Sequence, residues 1–154
     1  MLRSHDALPR ELLPLLARFP PAIRGLVPEA RRRLRQHLPT AIELVYDNAR
    51  RLAFGFASSE RASDIIVSLV VDARGVNLCF PNGTQLPDPD RLLMGRGKRR
   101  CLWLESAAQL DDPAVTALLR AAMASSRSLP ENGHGRFVVK SISPRRKRAH
   151  RASI

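Results

Sequence analysis

The segment Gly95-Arg96-Gly97-Lys98-Arg99-Arg100 combines two glycines with four cations, the densest such combination in the central part of the chain. Glycine lets a backbone approach an anion closely, and basic side chains supply the charge to hold it. Lys98 and Arg100 are therefore candidate ligand-binding residues, for a small anion. The segment matches neither common phosphate pattern. A P-loop places a glycine five residues before Gly-Lys-Ser/Thr, but here Leu92 stands five before Gly97 and Arg99 follows Lys98. The dinucleotide fingerprint fails as well, because position 100 is arginine where a third glycine is needed. The competing reading is a solvated link between a helix and a strand.

Tyr46, Asp47 and Asn48 form the second candidate ligand-binding set. Adjacent Asp and Asn also build turns, through side-chain to backbone hydrogen bonds. Two acidic pairs invite an acid–base mechanism, but each has a helix-capping alternative. Asp88 is placed to cap a short helix starting at Pro89 and stopping near Gly95, and Asp112 to cap a longer one starting at Pro113. The histidines (His5, His37, His134 and His150) are far apart and form no His-x-x-x-His pair, so no zinc site is expected. Cys79 and Cys101 sit in apolar stretches and are expected as buried thiols of a reducing compartment. No Gly-x-Ser-x-Gly elbow occurs, and no cysteine has a neighbouring histidine in sequence. These readings predict no catalytic residues, no metal and no cofactor.

The net charge of +12 points toward nucleic acid until it is located. Residues 1–42 carry eight Arg against three acids, residues 43–127 eleven basic residues against ten acids, and residues 128–154 seven against one. The centre is nearly neutral and the ends hold the excess. Moreover, 23 of the 26 basic residues are Arg, which together with abundant Ala and Pro fits a GC-rich genome of bacterial type. Arg145, Arg146, Lys147, Arg148 and Arg151 form a dense basic run, a candidate contact for nonspecific nucleic acid or an acidic protein. Only Phe137 in the last 27 residues offers a ring for base stacking. The longest near-apolar run, Ile65 to Val71, is seven residues long, far short of the ~20 that span a membrane. Arg10 and Glu11 interrupt the apolar stretch near the N-terminus, which argues against a signal peptide. The expectation is a cytoplasmic protein without membrane contact.

Periodicity supplies the elements that would position these residues. Residues 1–42 read as short helices separated by proline, packing on the core. Pro20-Pro21 separates two of them, and Pro28 opens a helix with Val27, Ala30, Leu34 and Leu38 on one face and Arg31, Arg32, Arg33 and Arg35 on the others. Pro39 ends it. From about residue 43 the period becomes two. Leu52, Phe54 and Phe56 alternate with Ala53, Gly55 and Ala57, and Ile65 to Val71 reads as a central strand covered on both faces. Strands then follow at Val76 to Phe80 and near Arg100 to Glu105, with Val115, Leu118, Leu119 and Ala122 as the stripe of a later helix. Consecutive strands with short links predict a single α+β domain, an antiparallel meander sheet flanked by helices. The core covers 43–127, with a basic C-terminal extension, partly disordered, at 128–154.

Val45-Tyr46-Asp47-Asn48, Leu52-Ala53-Phe54-Gly55-Phe56 and Ser59-Glu60-Arg61-Ala62-Ser63 resemble segments of the YdhG-like domains of unknown function. Leu86-Pro87-Asp88-Pro89, Gly95-Arg96-Gly97-Lys98 and Leu104-Glu105-Ser106 resemble them too, in the same order. The resemblance spans roughly residues 40 to 126 and implies a compact α+β domain with helices beside an antiparallel sheet. Some relatives carry the label of iron chaperone, by similarity in shape to frataxin. Relatives often have Arg-His where this chain has Arg100-Cys101, so a role for that histidine does not transfer. The leading expectation is a non-enzymatic binding or interaction protein of unknown ligand. The alternatives are a frataxin-like iron-handling chaperone and a basic accessory protein with weak nucleic-acid binding.

Overall fold

In the computed structural model, residues 8–126, 129–131 and 135–140 are described. Five strands follow one another as an antiparallel meander: β1 (Ile42–Asn48), β2 (Arg51–Ala57), β3 (Ile65–Asp72), β4 (Gly75–Phe80) and β5 (Arg100–Leu104). A sixth, β6 (Phe137–Val139), runs parallel to β1 on its free side, giving the order β5-β4-β3-β2-β1-β6. Among the described residues three α-helices accompany the sheet: α1 (Leu13–Leu16), α2 (Pro21–His37) and α3 (Pro113–Ala124). The domain is α+β, as the change of period requires. No helix among the described residues is long and apolar enough to cross a membrane.

One face of the sheet makes the core. Alternation aims Leu52, Phe54 and Phe56 of β2, Val67, Leu69 and Val71 of β3, and Val76, Leu78 and Phe80 of β4 to the same side. There α2 lies across β3 and β4, and α3 packs on β3. The expected stripe of α3 is buried at all four positions, Val115, Leu118, Leu119 and Ala122. Each large side chain taken out of water here contributes about 1.5–3 kcal/mol. β3 is central, but its second face is not sealed, since Ser68, Val70 and Asp72 are only half-buried. Its apolar reading on both parities has a local cause. A bulge opposite Phe56 and Ala57 inserts Ile66, which lines a small crevice with Phe80 and Ala122.

Several local expectations are corrected. Pro28 does not open a helix but lies inside α2, which runs unbroken from Pro21 to His37. An internal proline forfeits one backbone bond and costs about 3 kcal/mol, and one buried stripe of Ile23, Val27, Ala30 and Leu34 spans it and offsets that cost. No helix forms at 89–95. Instead the Asp88 carboxylate accepts the N–H groups of Leu92 and Leu93, both at 2.9 Å, and Arg91 turns the chain at φ 52°. Asp112 does precede α3, but its side chain makes no capping bond.

Arg31 and Arg35 do not cover an exposed side of α2. Both are buried, and both bond to Glu43, which β1 aims at the same face and which is 0% exposed. Arg31 donates from Nε to Oε2 at 2.6 Å and from Nη2 to Oε1 at 2.5 Å. Arg35 donates to Oε1 at 3.2 Å and to the Ala41 carbonyl, and its guanidinium lies 5.1 Å from the Phe56 ring centre. Two cations one helical turn apart are therefore bridged by a shared anion.

Asp111 joins α2 to the turn before α3. Arg33 bonds to its Oδ2, and His37 Nε2 lies 3.1 Å from Oδ1. Burial alone would raise this carboxyl, but the hydrogen bonds from Arg33 and His37 outweigh it and hold it below the usual carboxylate value. A lowered folded-state pKa gives stability that is present above the unfolded value and lost as pH falls through the folded one. The carboxylate is 47% exposed, so screening limits the gain to below about 1 kcal/mol. Asp111→Asn is expected to lower the thermal midpoint by at most about 2–4 °C near neutrality and to match the parent at a pH low enough to protonate Asp111. A gap that persists unchanged in acid would show that the contact is not electrostatic.

Candidate functional site

The second face of the sheet carries the site. Register places Tyr46, Ala53, Val70, Asn77 and Trp103 in one row across β1 to β5, with Leu44, Gly55, Ser68, Cys79 and Cys101 in the next. Trp103 packs over Gly75, where an added Cβ would sit 2.5 Å from its ring. Only glycine leaves room for that indole. After β4 the chain turns back, and Met94 pairs with Cys101 through reciprocal backbone bonds of 2.8 and 2.9 Å. Gly95 and Gly97, at φ 124° and 78°, then bend the loop above the end of β5.

A cleft of about 520 Å³ lies between this loop and the strands. Val70, Asn77 and the paired cysteines line it from the strands, Trp103 and Met94 add apolar surface, and Arg51, Arg74, Arg96 and Arg99 surround it. All four arginines are exposed, and none forms an ion pair among the described residues. Among the described residues Asp72 is the single acid in the lining. Its Oδ1 accepts the backbone N–H groups of Arg74 at 2.8 Å and Gly75 at 3.2 Å, which fixes the β3–β4 turn. Four cations against one engaged carboxylate make the potential in the cleft positive. The basic surface continues past Arg51 and Arg74 into a second depression of about 480 Å³ that adds Arg18 and Arg50.

The two cysteines are not buried thiols. Cys79 and Cys101 face each other on β4 and β5, with Cα atoms 4.1 Å apart, and form a disulfide. Alternation places both on the face away from the core, so they meet beside the cleft instead of packing under the helices. Arg99 Nη2 donates to Cys79 Sγ at 3.4 Å.

The sequence-based candidates are dispersed. Lys98 stays exposed in the loop, where its carbonyl accepts from Thr84. Arg100 faces away from the cleft, packs its stem against Gly83 and donates to the Gly97 carbonyl at 2.9 Å. Strand alternation explains the difference: Arg99 and Cys101 share the cleft side, and Arg100 takes the other. Asp47 pairs with Arg18 at 2.6 Å, and Asn48 Oδ1 accepts the N–H groups of Arg50 and Arg51 to close the β1–β2 turn. Tyr46 lies on the cleft side of the sheet but does not line the cleft. Its hydroxyl is buried without a hydrogen-bond partner among the described residues, and burial pushes its pKa up. Arg145, Arg146, Lys147, Arg148 and Arg151 fall outside the described residues. Arg51 and Arg74 were missed because they flank turns far apart in sequence, and only the strand register unites them with Arg96 and Arg99.

No family model matches this chain, and neither a curated protein nor a solved structure gives a match.

Proposed function

We propose that this chain is a non-enzymatic, cytoplasmic binding domain of the YdhG-like type that holds a small anionic ligand in the cleft beside β4 and β5. The observation that carries this reading is the set of four arginines without carboxylate partners among the described residues, around a cavity within the usual size range of ligand pockets. Trp103 and Met94 add a flat apolar contact, which suits an anion with a ring or hydrocarbon portion better than a bare ion. Frataxin-like iron handling would require several oxygen donors converging on one point. This cleft offers a single carboxylate already bonded to backbone. A nucleic-acid role through Arg145 to Arg151 rests on sequence alone.

Trp103 is the only tryptophan of the chain, so its fluorescence reports on the cleft directly. Titration with pyrophosphate is expected to change its emission saturably and to weaken as salt rises. The double variant Arg74→Gln, Arg99→Gln is expected to bind at least about tenfold more weakly, because charge-assisted hydrogen bonds contribute about 1.5–3 kcal/mol each. No saturable response, or equal binding by the double variant, would sink the reading.

A further inference from the structure

We propose that the Cys79–Cys101 disulfide is the reactive group of this cleft and undergoes thiol–disulfide exchange with small thiols that carry additional negative charge. The proposal rests on the anion-binding reading of the cleft and adds a chemical step to it. Three independent features support it. The bond lies on the floor of an accessible cavity, outside the hydrophobic core. Its two sulfurs differ, since Cys79 is buried at 2% exposure whereas Cys101 is partly exposed. The buried sulfur is also the one that accepts from the Arg99 guanidinium.

This asymmetry sets the direction of attack. Exchange proceeds by in-line displacement and runs faster when the departing sulfur is a stabilised thiolate. A small thiolate drawn in by Arg51, Arg74 and Arg96 attacks Cys101 Sγ. A bond forms between the small thiol's sulfur and Cys101 while the Cys79–Cys101 bond breaks. Cys79 leaves with the electron pair as a thiolate held by Arg99, because a neighbouring guanidinium favours the ionised form. A second thiolate attacks the small thiol's sulfur in the mixed disulfide, releasing its oxidised dimer and the Cys101 thiolate. The two cysteine thiolates take up the two protons lost by the two attacking thiols. Two small thiols are thereby oxidised by two electrons, and the protein disulfide is reduced to two thiols. Reduction removes the covalent tie between β4 and the strand that anchors the Met94–Cys101 bridge, so the redox state also sets how firmly the arginine loop is held.

The test compares three thiols of similar size on the full oxidised chain: 2-sulfanylethanesulfonate, 2-sulfanylethanol and 2-sulfanylethylamine. Reduction is followed by alkylation and mass measurement, with each rate divided by the thiolate concentration and corrected for thiol basicity. At low ionic strength the sulfonate is expected to react about tenfold faster than the amine, with the alcohol between them. The spread should collapse at about 0.5 M salt. Arg99→Gln is expected to slow all three several-fold, because the leaving sulfur loses its donor. Equal normalised rates for the three thiols on the unmodified chain would overturn the proposal. If pyrophosphate still perturbs Trp103 in that case, exchange fails while the anion cleft stands. A charge-dependent rate spread without pyrophosphate binding would instead remove the ligand reading and keep the reactive disulfide.

Discussion

Glu43→Ala is expected to destabilise the domain by about 3–5 kcal/mol, the cost of removing one partner from a buried ionic cluster. The thermal midpoint should then fall by on the order of 10 °C. Glu43 is the common acceptor for Arg31 and Arg35, and all three are buried. Without it, two guanidiniums stay in a low-dielectric interior, with the Ala41 carbonyl as one remaining acceptor for Arg35. The loss therefore exceeds that of an ordinary hydrogen bond, which is about 1 kcal/mol. Replacing all three residues together by apolar ones of matched volume should recover much of the loss, because the desolvation penalty disappears with the charges. Chemical denaturation of the single and triple variants measures both terms. A single-variant cost below about 1 kcal/mol would mean that the arginines reach water by a rearrangement this packing does not provide.

Gly135→Ala is expected to release the last strand from the sheet. Gly135 packs so closely that a Cβ would overlap the Ala41 carbonyl oxygen and Arg35 Nη1. Neither can retreat easily, since the first is backbone and the second is held by the Glu43 cluster. The segment would have to move, losing the bonds from Gly135 N to Pro39 O at 3.0 Å, Glu43 N to Arg136 O at 2.8 Å and Lys140 N to Val45 O at 2.7 Å. Phe137 would also leave the core edge. A stability loss above about 2 kcal/mol follows from these bonds and that ring together. Hydrogen exchange gives a local reading: the amides of Glu43 and Lys140 should exchange about a hundredfold faster, while β3 and β4 keep their relative order of protection. Unchanged protection at both amides would show that the backbone accommodates the methyl group.

Legibility of the fold from sequence followed the period of the hydrophobic pattern. β2, β4 and α3 each carry their own repeat, so Leu52-Phe54-Phe56, Val76-Leu78-Phe80 and Val115-Leu118-Leu119-Ala122 announce which face is buried. Features set by meetings between distant segments were not legible. Arg31 and Arg35 look like surface residues until β1 brings Glu43 beneath them. Cys79 and Cys101 look like core thiols until the strand register pairs them on the opposite face. Pro28 looks like a helix start because the stripe that spans it, Ile23, Val27, Ala30 and Leu34, offsets its cost only once the sheet covers that face. The candidate site was half legible: the glycine-rich loop pointed to the right region, but alternation substitutes Arg99 for Arg100, and the β1–β2 and β3–β4 turns contribute Arg51 and Arg74.

The parallel pairing of β6 with β1 has a consequence for biosynthesis. As the chain leaves the ribosome, β1 to β5 emerge in the order in which they pair, each beside a neighbour already made. The free side of β1 is different, because its partner is Phe137–Val139, near the opposite end of the described chain. Until that segment is translated, β1 presents an unpaired strand edge, the kind of surface that recruits other nascent chains. The same interval leaves Gly135 absent from the Arg35 cluster. A truncated or stalled product ending before residue 135 would thus keep the whole meander and still be the aggregation-prone species.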